Sequence, residues 1–145
     1  MILPYFAYPI CAFAVAQGTK IFIKSFDKHH LKFKDLFAYS DMPSSHTATV
    51  ISLATIIGLK LGFGSADFAL AFVFCSVVIT DAIGLRNYLG QHGRTLNILV
   101  KDLKEDDFLD KTYPKQLEHI GHTPLQVAMG GLIGVLVSVI GFILF

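Results

Sequence analysis

Three stretches of this chain contain no lysine, arginine, aspartate or glutamate: residues 1–19, 42–59 and 123–145. An apolar run of about 18 residues or more is long enough to cross a bilayer as a helix, since roughly 20 residues at about 1.5 Å each span the hydrocarbon core. The rest of the composition agrees. Charged residues make up 16% of the chain and hydrophobic ones 53%, with a mean hydropathy of +0.58. A soluble domain carries closer to about 25% charged residues. With 145 residues the chain is sized for one domain, not two independent cores. An integral membrane protein follows, with residues 1–145 as one membrane domain.

The first apolar run has its basic residues after it, at Lys20 and Lys24, and none before it. That is the reverse of a signal peptide, so the run is read as a retained span. Cys11 and Cys75 both fall inside apolar segments and are expected to be small buried side chains, not a disulfide or a metal site. A net charge of +1 offers no electrostatic footprint for nucleic acid.

Four spans are expected, at about residues 3–24, 44–62, 66–88 and 123–145. The fold class is therefore all-α: a polytopic membrane helix bundle with about four transmembrane helices. Between the second and third spans lies only Gly62-Phe63-Gly64-Ser65-Ala66, a tight turn in which Ser65 is placed to cap the next helix. Residues 25–43 and 90–122 form the two long loops. In the second, Leu96, Leu99, Val100 and Leu103 recur at helical spacing, which predicts an amphipathic helix ending near Tyr113-Pro114. Lys28, Lys32 and Lys34 sit in the first loop, and Arg94, Lys101, Lys104, Lys111 and Lys115 in the second, with little besides Lys60 on the other side. The positive-inside rule then places both loops, and the amphipathic segment, in the cytoplasm. Gly58–Gly62 and Gly130–Gly134 fit small-residue helix packing, and with four spans they leave room for a homo-oligomer.

This topology gathers the unusual polar residues at one membrane face. The first span ends at Gln17, Lys20 and Lys24, which share one helical face. The second begins at Met42-Pro43-Ser44-Ser45-His46, the third ends at Asp81 and Arg86, and the fourth begins at Glu118-His119-Ile120-Gly121-His122-Thr123-Pro124. Pro43 suits the first turn of a helix, while Thr123 reads as a cap with Pro124 as the first helical residue. Helix starts offer unpaired N–H groups to anions, phosphate above all. Arg86 adds a planar fork for phosphate oxygens. Each element also has a plain structural reading. Lysines that end a span snorkel, serines cap helices, and Asp81 can pair with Arg86 in a salt bridge that does no chemistry. His29, His30 and His92 read as loop residues. His119 and His122 lack a fixed ligand set, so no metal is expected.

Met42-Pro43-Ser44-Ser45-His46-Thr47-Ala48, Asp81-Ala82-Ile83-Gly84-Leu85-Arg86 and Gly121-His122-Thr123-Pro124-Leu125-Gln126-Val127 together resemble the signature segments of the divergent branch of the type 2 phosphatidic acid phosphatase family, in the right order. That family is related to acid phosphatases and vanadium-dependent haloperoxidases. The resemblance implies a phosphomonoesterase without metal or other cofactor, acting on a lipid phosphate in the membrane. It implies His122 as the nucleophile that forms a phosphohistidine, and His46 as the acid that protonates the leaving alcohol. Lys20, Ser44, Ser45, Arg86 and Thr123 would hold the phosphate. A bacterial inner membrane is the expected location. The physical needs are clear: two-step displacement requires a nucleophile, an alkoxide leaves better protonated, and fixed cations stabilise the phosphoryl charge.

The chain departs from the wider superfamily at several positions. No Lys-x6-Arg-Pro segment is present, and Lys20 is a positional stand-in for its lysine. Gln116 and Gln126 stand where typical members carry an arginine before, and an aspartate after, the nucleophilic histidine. Asp81 and Arg86 are candidates for those roles, with Glu118 as the group that orients His122. Three functions compete: a lipid phosphomonoesterase, a non-catalytic anionic-lipid binding or transport protein that keeps the phosphate cradle, and a structural membrane subunit.

Overall fold

The computed structural model describes residues 3–27, 42–102, 115–118 and 120–144. Among these the chain is a membrane helix bundle. Helix α1 covers Leu3–Asp27, α2 Ser45–Leu61, α3 Ala66–Thr80, α4 Arg86–Asp102 and α5 Pro124–Leu144, with a π-helical turn, Asp81–Leu85, joining α3 to α4. Three helical stretches, Leu3–Phe26, Ala66–Lys101 and Pro124–Leu144, are long and apolar enough to cross a membrane, and α2 is a shorter apolar helix of 17 residues.

The helix ends follow local rules. Ser44 is the N-cap of α2, with extended backbone and a side chain that accepts from Thr47 N. Pro43 therefore precedes the cap instead of opening the first turn; the Met42–Pro43 peptide bond is cis. At the other end Gly62 has φ +91°, a conformation that side chains rarely adopt, and its N–H closes onto the Gly58 carbonyl at 3.0 Å. Three residues later Ser65 caps α3 by accepting from Phe68 N at 3.2 Å.

The amphipathic stretch expected inside the second loop is not a separate helix. It continues α3 through the π turn, so that Leu96, Leu99 and Val100 lie on α4 and one helical rod runs from Ala66 to Lys101. Its 36 residues make roughly 54 Å, well beyond the hydrocarbon thickness of about 30 Å. Leu103 and the Tyr113-Pro114 end lie outside the described residues, as do His29, His30, His119 and most of the first loop.

Helix α2 is central and packs against α1, α3 and α5, while α1 also meets α5. The packed faces are small and the outer faces large. Ala12, Ala16 and Ala48 are fully buried where α1 and α2 meet, beside Ile133 and Val137 of α5. Leu70, Phe72, Leu132 and Ile143 point outward and are mostly exposed. Such a surface suits lipid, where close backbone approach and not hydrophobic burial holds helices together. At Gly130 and Gly134 of α5 an added Cβ would collide with the carbonyl oxygens of Ser44 and Ala48. The Gly130–Gly134 stripe is thus filled by α2 of the same chain. Lower down, Ser52 and Ser138 are both fully buried and share a hydroxyl contact of 2.7 Å, and Ser138 Oγ also donates to the Ser52 carbonyl at 2.9 Å. Cys75 is buried, as expected for a small apolar side chain, but Cys11 faces outward.

Candidate functional site

One end of the bundle collects the C-terminal part of α1, the start of α2, the π turn and the start of α5. Backbone bonds tie the pieces together. Ser44 N donates to the Gln126 carbonyl at 3.1 Å, and His122 N donates to the Ala82 carbonyl at 3.0 Å. Asn87 bridges two of the pieces with its side-chain amide, which donates to the carbonyls of Ile83 (2.6 Å) and His122 (3.2 Å). Gly121 is needed here because any Cβ would run into Asn87.

The π turn explains how Asp81 and Arg86 come to act together. Five residues apart on an ordinary α-helix they would diverge by about 140°. In a π turn, where residue i+5 closes back on residue i, Arg86 N donates to the Asp81 carbonyl. The side chains follow, and Arg86 Nε meets Asp81 Oδ2 at 2.6 Å, each side chain about a third exposed. Among the described residues the terminal guanidinium nitrogens of Arg86 make no hydrogen bond, so the fork keeps two nitrogens for another oxyanion. The structural reading of Asp81 as a partner for Arg86 is realised in this geometry.

A pocket of about 530 Å³ opens between α1, α2 and α3. Its polar end is made by His46, Thr49, Asp81 and Arg86, and its wall by Phe13, Val50, Phe74, Val77 and Val78. Phe13, Phe74 and Val77 are also exposed on the outer face of the bundle, so the pocket opens sideways toward lipid. Lys20 of α1 is 5% exposed and lies within electrostatic range of both His46 and His122.

His122 is 3% exposed and is not among the described residues lining that pocket. Burial pushes its imidazole below the ordinary histidine range. A bond from Gln126 opposes the shift, while Lys20, His46 and Arg86 add to it. Its ring nitrogen Nδ1 lies 3.3 Å from Gln126 Oε1.

Three expected roles change. Glu118 does not orient His122; its carboxylate accepts from Asn97 Nδ2 at 2.8 Å, and Gln126 takes the place at the ring. Ser44 is fully buried as a cap, its Oγ accepting from Thr47 N and Oγ1, so burial keeps it from the pocket. Ser45 donates its hydroxyl to Gln17 Oε1 at 3.0 Å. Thr123 does cap α5, since its Oγ1 accepts from Gln126 N at 3.3 Å. It lines a second, more polar pocket of about 510 Å³ with Asn87, Gln91, Arg94, Glu118 and Gln126. The sequence alone does not single out Asn87: it is a lone amide one residue after Arg86, which means nothing until the fourth span folds back onto it.

The family model described as the divergent PAP2 family matches residues 3–137. The chain belongs to this family. It is also similar to an uncharacterized membrane protein of Bacillus subtilis (strain 168), YuiD, at 31% identity over 140 residues, covering 90% of this chain and 89% of that one. No solved structure matches the chain. The helical bundle agrees with membership of a family of membrane proteins.

Proposed function

We propose that the chain is a membrane-embedded phosphomonoesterase for a lipid phosphate, working through histidine without metal. The observation that carries this reading is the side-opening pocket. Its apolar wall runs from Asp81 down two helical turns to Phe74, and its polar end presents His46 and the guanidinium of Arg86. A lipid entering from the bilayer would lay an acyl chain along Phe13, Phe74 and Val77 and bring its phosphate to Arg86, with Lys20 adding positive charge. His122 Nε2 would attack phosphorus as the bond to the lipid oxygen breaks, and His46 would protonate that oxygen as the alcohol leaves. Water, deprotonated by His46, would then attack the phosphohistidine, releasing inorganic phosphate and restoring His122. The lysine and arginine placement around the loops supports a cytoplasmic position for this end of the bundle.

The test is release of inorganic phosphate from a short-chain phosphatidate in mixed micelles by the purified chain, with vanadate as a phosphoryl transition-state mimic. Release is expected, with inhibition by vanadate and loss in His122→Ala and His46→Ala. Full activity in both variants would exclude the mechanism.

One observation favours a second reading, an anionic-lipid binder. His122 is buried and off the pocket lining, and Arg86 already shares its charge with Asp81. A binder would retain phosphatidate on vesicles, release no phosphate, and bind equally well as His122→Ala.

A further inference from the structure

Helix α4 gives one face to its own chain and leaves the other uncovered. Gly90 and Gly93 lie against the carbonyls of Glu118 and Leu117, where an added Cβ would collide. Asn97 pairs with the backbone of Gln116 in both directions, at 2.9 Å each way. These residues share one side of the helix. On the opposite side stand Leu85, Tyr88, Leu89, Leu96 and Leu99, each half or more exposed. The spacing there is specific. From Leu85 through Leu89, His92, Leu96 and Leu99 the steps are four, three, four and three residues. That is the repeat of a seam seated against another helix. Lipid contact does not require it: on α3 Leu70, Phe72, Val73 and Phe74 face outward on several sides.

Hydrocarbon cannot cover the whole stripe. The rod from Ala66 to Lys101 measures roughly 54 Å. Even at a tilt of about 40°, the upper end of the usual range, a bilayer core of about 30 Å holds only about 39 Å of it. About ten residues of α4 then stand in the aqueous phase, and they include the exposed Leu96 and Leu99. Copies inserted with one orientation place their α4 helices parallel and level, so each seam residue can meet its own counterpart across a two-fold axis. Charge permits that meeting. The flanking residues Tyr88, Gly93, Thr95 and Val100 are uncharged, Arg94 and Lys101 lie on the far side, and Arg86 at the foot is held by Asp81. The five exposed seam and flank side chains offer on the order of 500 Å² per copy, which brings two copies to about the 1,000 Å² at which a specific interface begins.

We propose that two copies of this chain dock along α4, parallel and in register, with Leu89, His92, Leu96 and Leu99 at the seam. His92, expected in a loop, stands mid-helix as the one polar residue of that seam. A lone polar side chain at such a position fixes the register of two helices at a cost in stability. The glycines at 130 and 134 take no part, since α2 of the same chain fills them. The proposal concerns assembly and stands apart from the phosphatase reading.

The experiment places single cysteines along α4 of the full chain, in a Cys11→Ala background, and oxidises them in the native membrane. A disulfide between copies needs Cα atoms within about 7 Å of each other. Leu89→Cys, His92→Cys, Leu96→Cys and Leu99→Cys are therefore expected to give covalent dimer at about ten times the yield of Gln91→Cys, Arg94→Cys and Ile98→Cys. Ile98 is the decisive control, because it is as exposed as Leu96 and Leu99 but lies off the seam. With Leu89→Asp and Leu96→Asp added, the His92→Cys crosslink should be lost while the buried Cys75 thiol stays closed to a maleimide, the sign of a folded bundle. Equal yields on and off the seam, or seam cysteines that join another protein or nothing at all, overturn the proposal.

Discussion

Two neighbouring glycines of α5 should respond to the same substitution with opposite signs. At Gly131 an added Cβ meets nothing nearer than Ile51 Cγ1 and Thr47 Cγ2, both at 3.9 Å, which is ordinary contact. At Gly134 it would stand 2.5 Å from the Ala48 carbonyl oxygen and 2.9 Å from Ser52 N, where ordinary contact begins at 3.4 Å. Those atoms are backbone and cannot rotate away, so α2 and α5 must separate by about 0.9 Å, a gap that forfeits a quarter to a half of each dispersion contact along the seam. The separation also stretches the Ser52–Ser138 contacts just below. Overpacking of this kind costs about 1–3 kcal/mol. Replacing glycine by alanine inside a helix returns up to about 1 kcal/mol at either site. Gly131→Ala should therefore be neutral to stabilising by up to about 1 kcal/mol, and Gly134→Ala destabilising by up to about 2 kcal/mol, so the two variants differ by about 1–3 kcal/mol. The assay is denaturation in mixed detergent micelles, read by exposure of the buried Cys75 thiol in a Cys11→Ala background. A Gly134→Ala protein as stable as Gly131→Ala would show that the two helices do not touch backbone to backbone, and the account of the bundle would fail.

Asp81→Asn removes the charge that shares Arg86. If Asp81 is only a partner, the phosphate-release KM should fall by about threefold with kcat kept, the scale of a part-exposed ion pair; a collapse of kcat would make Asp81 catalytic. His122 is held below its ordinary value in the folded chain and titrates near about 6.5 unfolded. Its contribution to stability is therefore complete above that value and lost as pH falls through the lower folded value. From about pH 7.5 to about pH 5.5, wild type should lose more thermal midpoint than His122→Gln; equal losses would contradict the burial of a neutral ring. Ser138→Ala deletes a hydroxyl pair at the centre of the bundle and should destabilise the chain by about 0.6–1.7 kcal/mol in the same micelle assay. No change there would mean Ser52 re-pairs on its own helix.

Much of the fold could be read from one-dimensional facts. A run without charge long enough to cross a bilayer must be helical or otherwise internally bonded, so the four helices, the Ser65 cap and the Thr123-Pro124 start follow from composition and local chemistry. So does the gathering of His46, Asp81, Arg86 and His122 at one end, because antiparallel spans of similar length leave few other places for their ends. The glycines at 130 and 134 announced close packing, but not against what. Nothing in their spacing distinguishes a second chain from α2 of the same chain, and the fold chose α2.

What each polar side chain does was decided only by the tertiary structure. A serine at a helix start can cap or bind a ligand with the same hydroxyl. Burial and the nearby Thr47 committed Ser44 to the first, and Gln17 took the hydroxyl of Ser45. Glu118 and Gln126 lie four residues to either side of His122 and compete for its ring on equal terms in sequence. Asn97, from a helix that the sequence placed in a loop, drew Glu118 away, and the helix cap at Thr123 turned Gln126 inward. The π turn is likewise silent in Asp81-Ala82-Ile83-Gly84-Leu85, yet it turns Arg86 onto Asp81 and leaves the Ala82 carbonyl to hold His122. Hydrophobicity sums along a chain and survives being read one residue at a time. Hydrogen-bond partners are chosen by distances of a few tenths of an ångström, and those exist only after the helices have met.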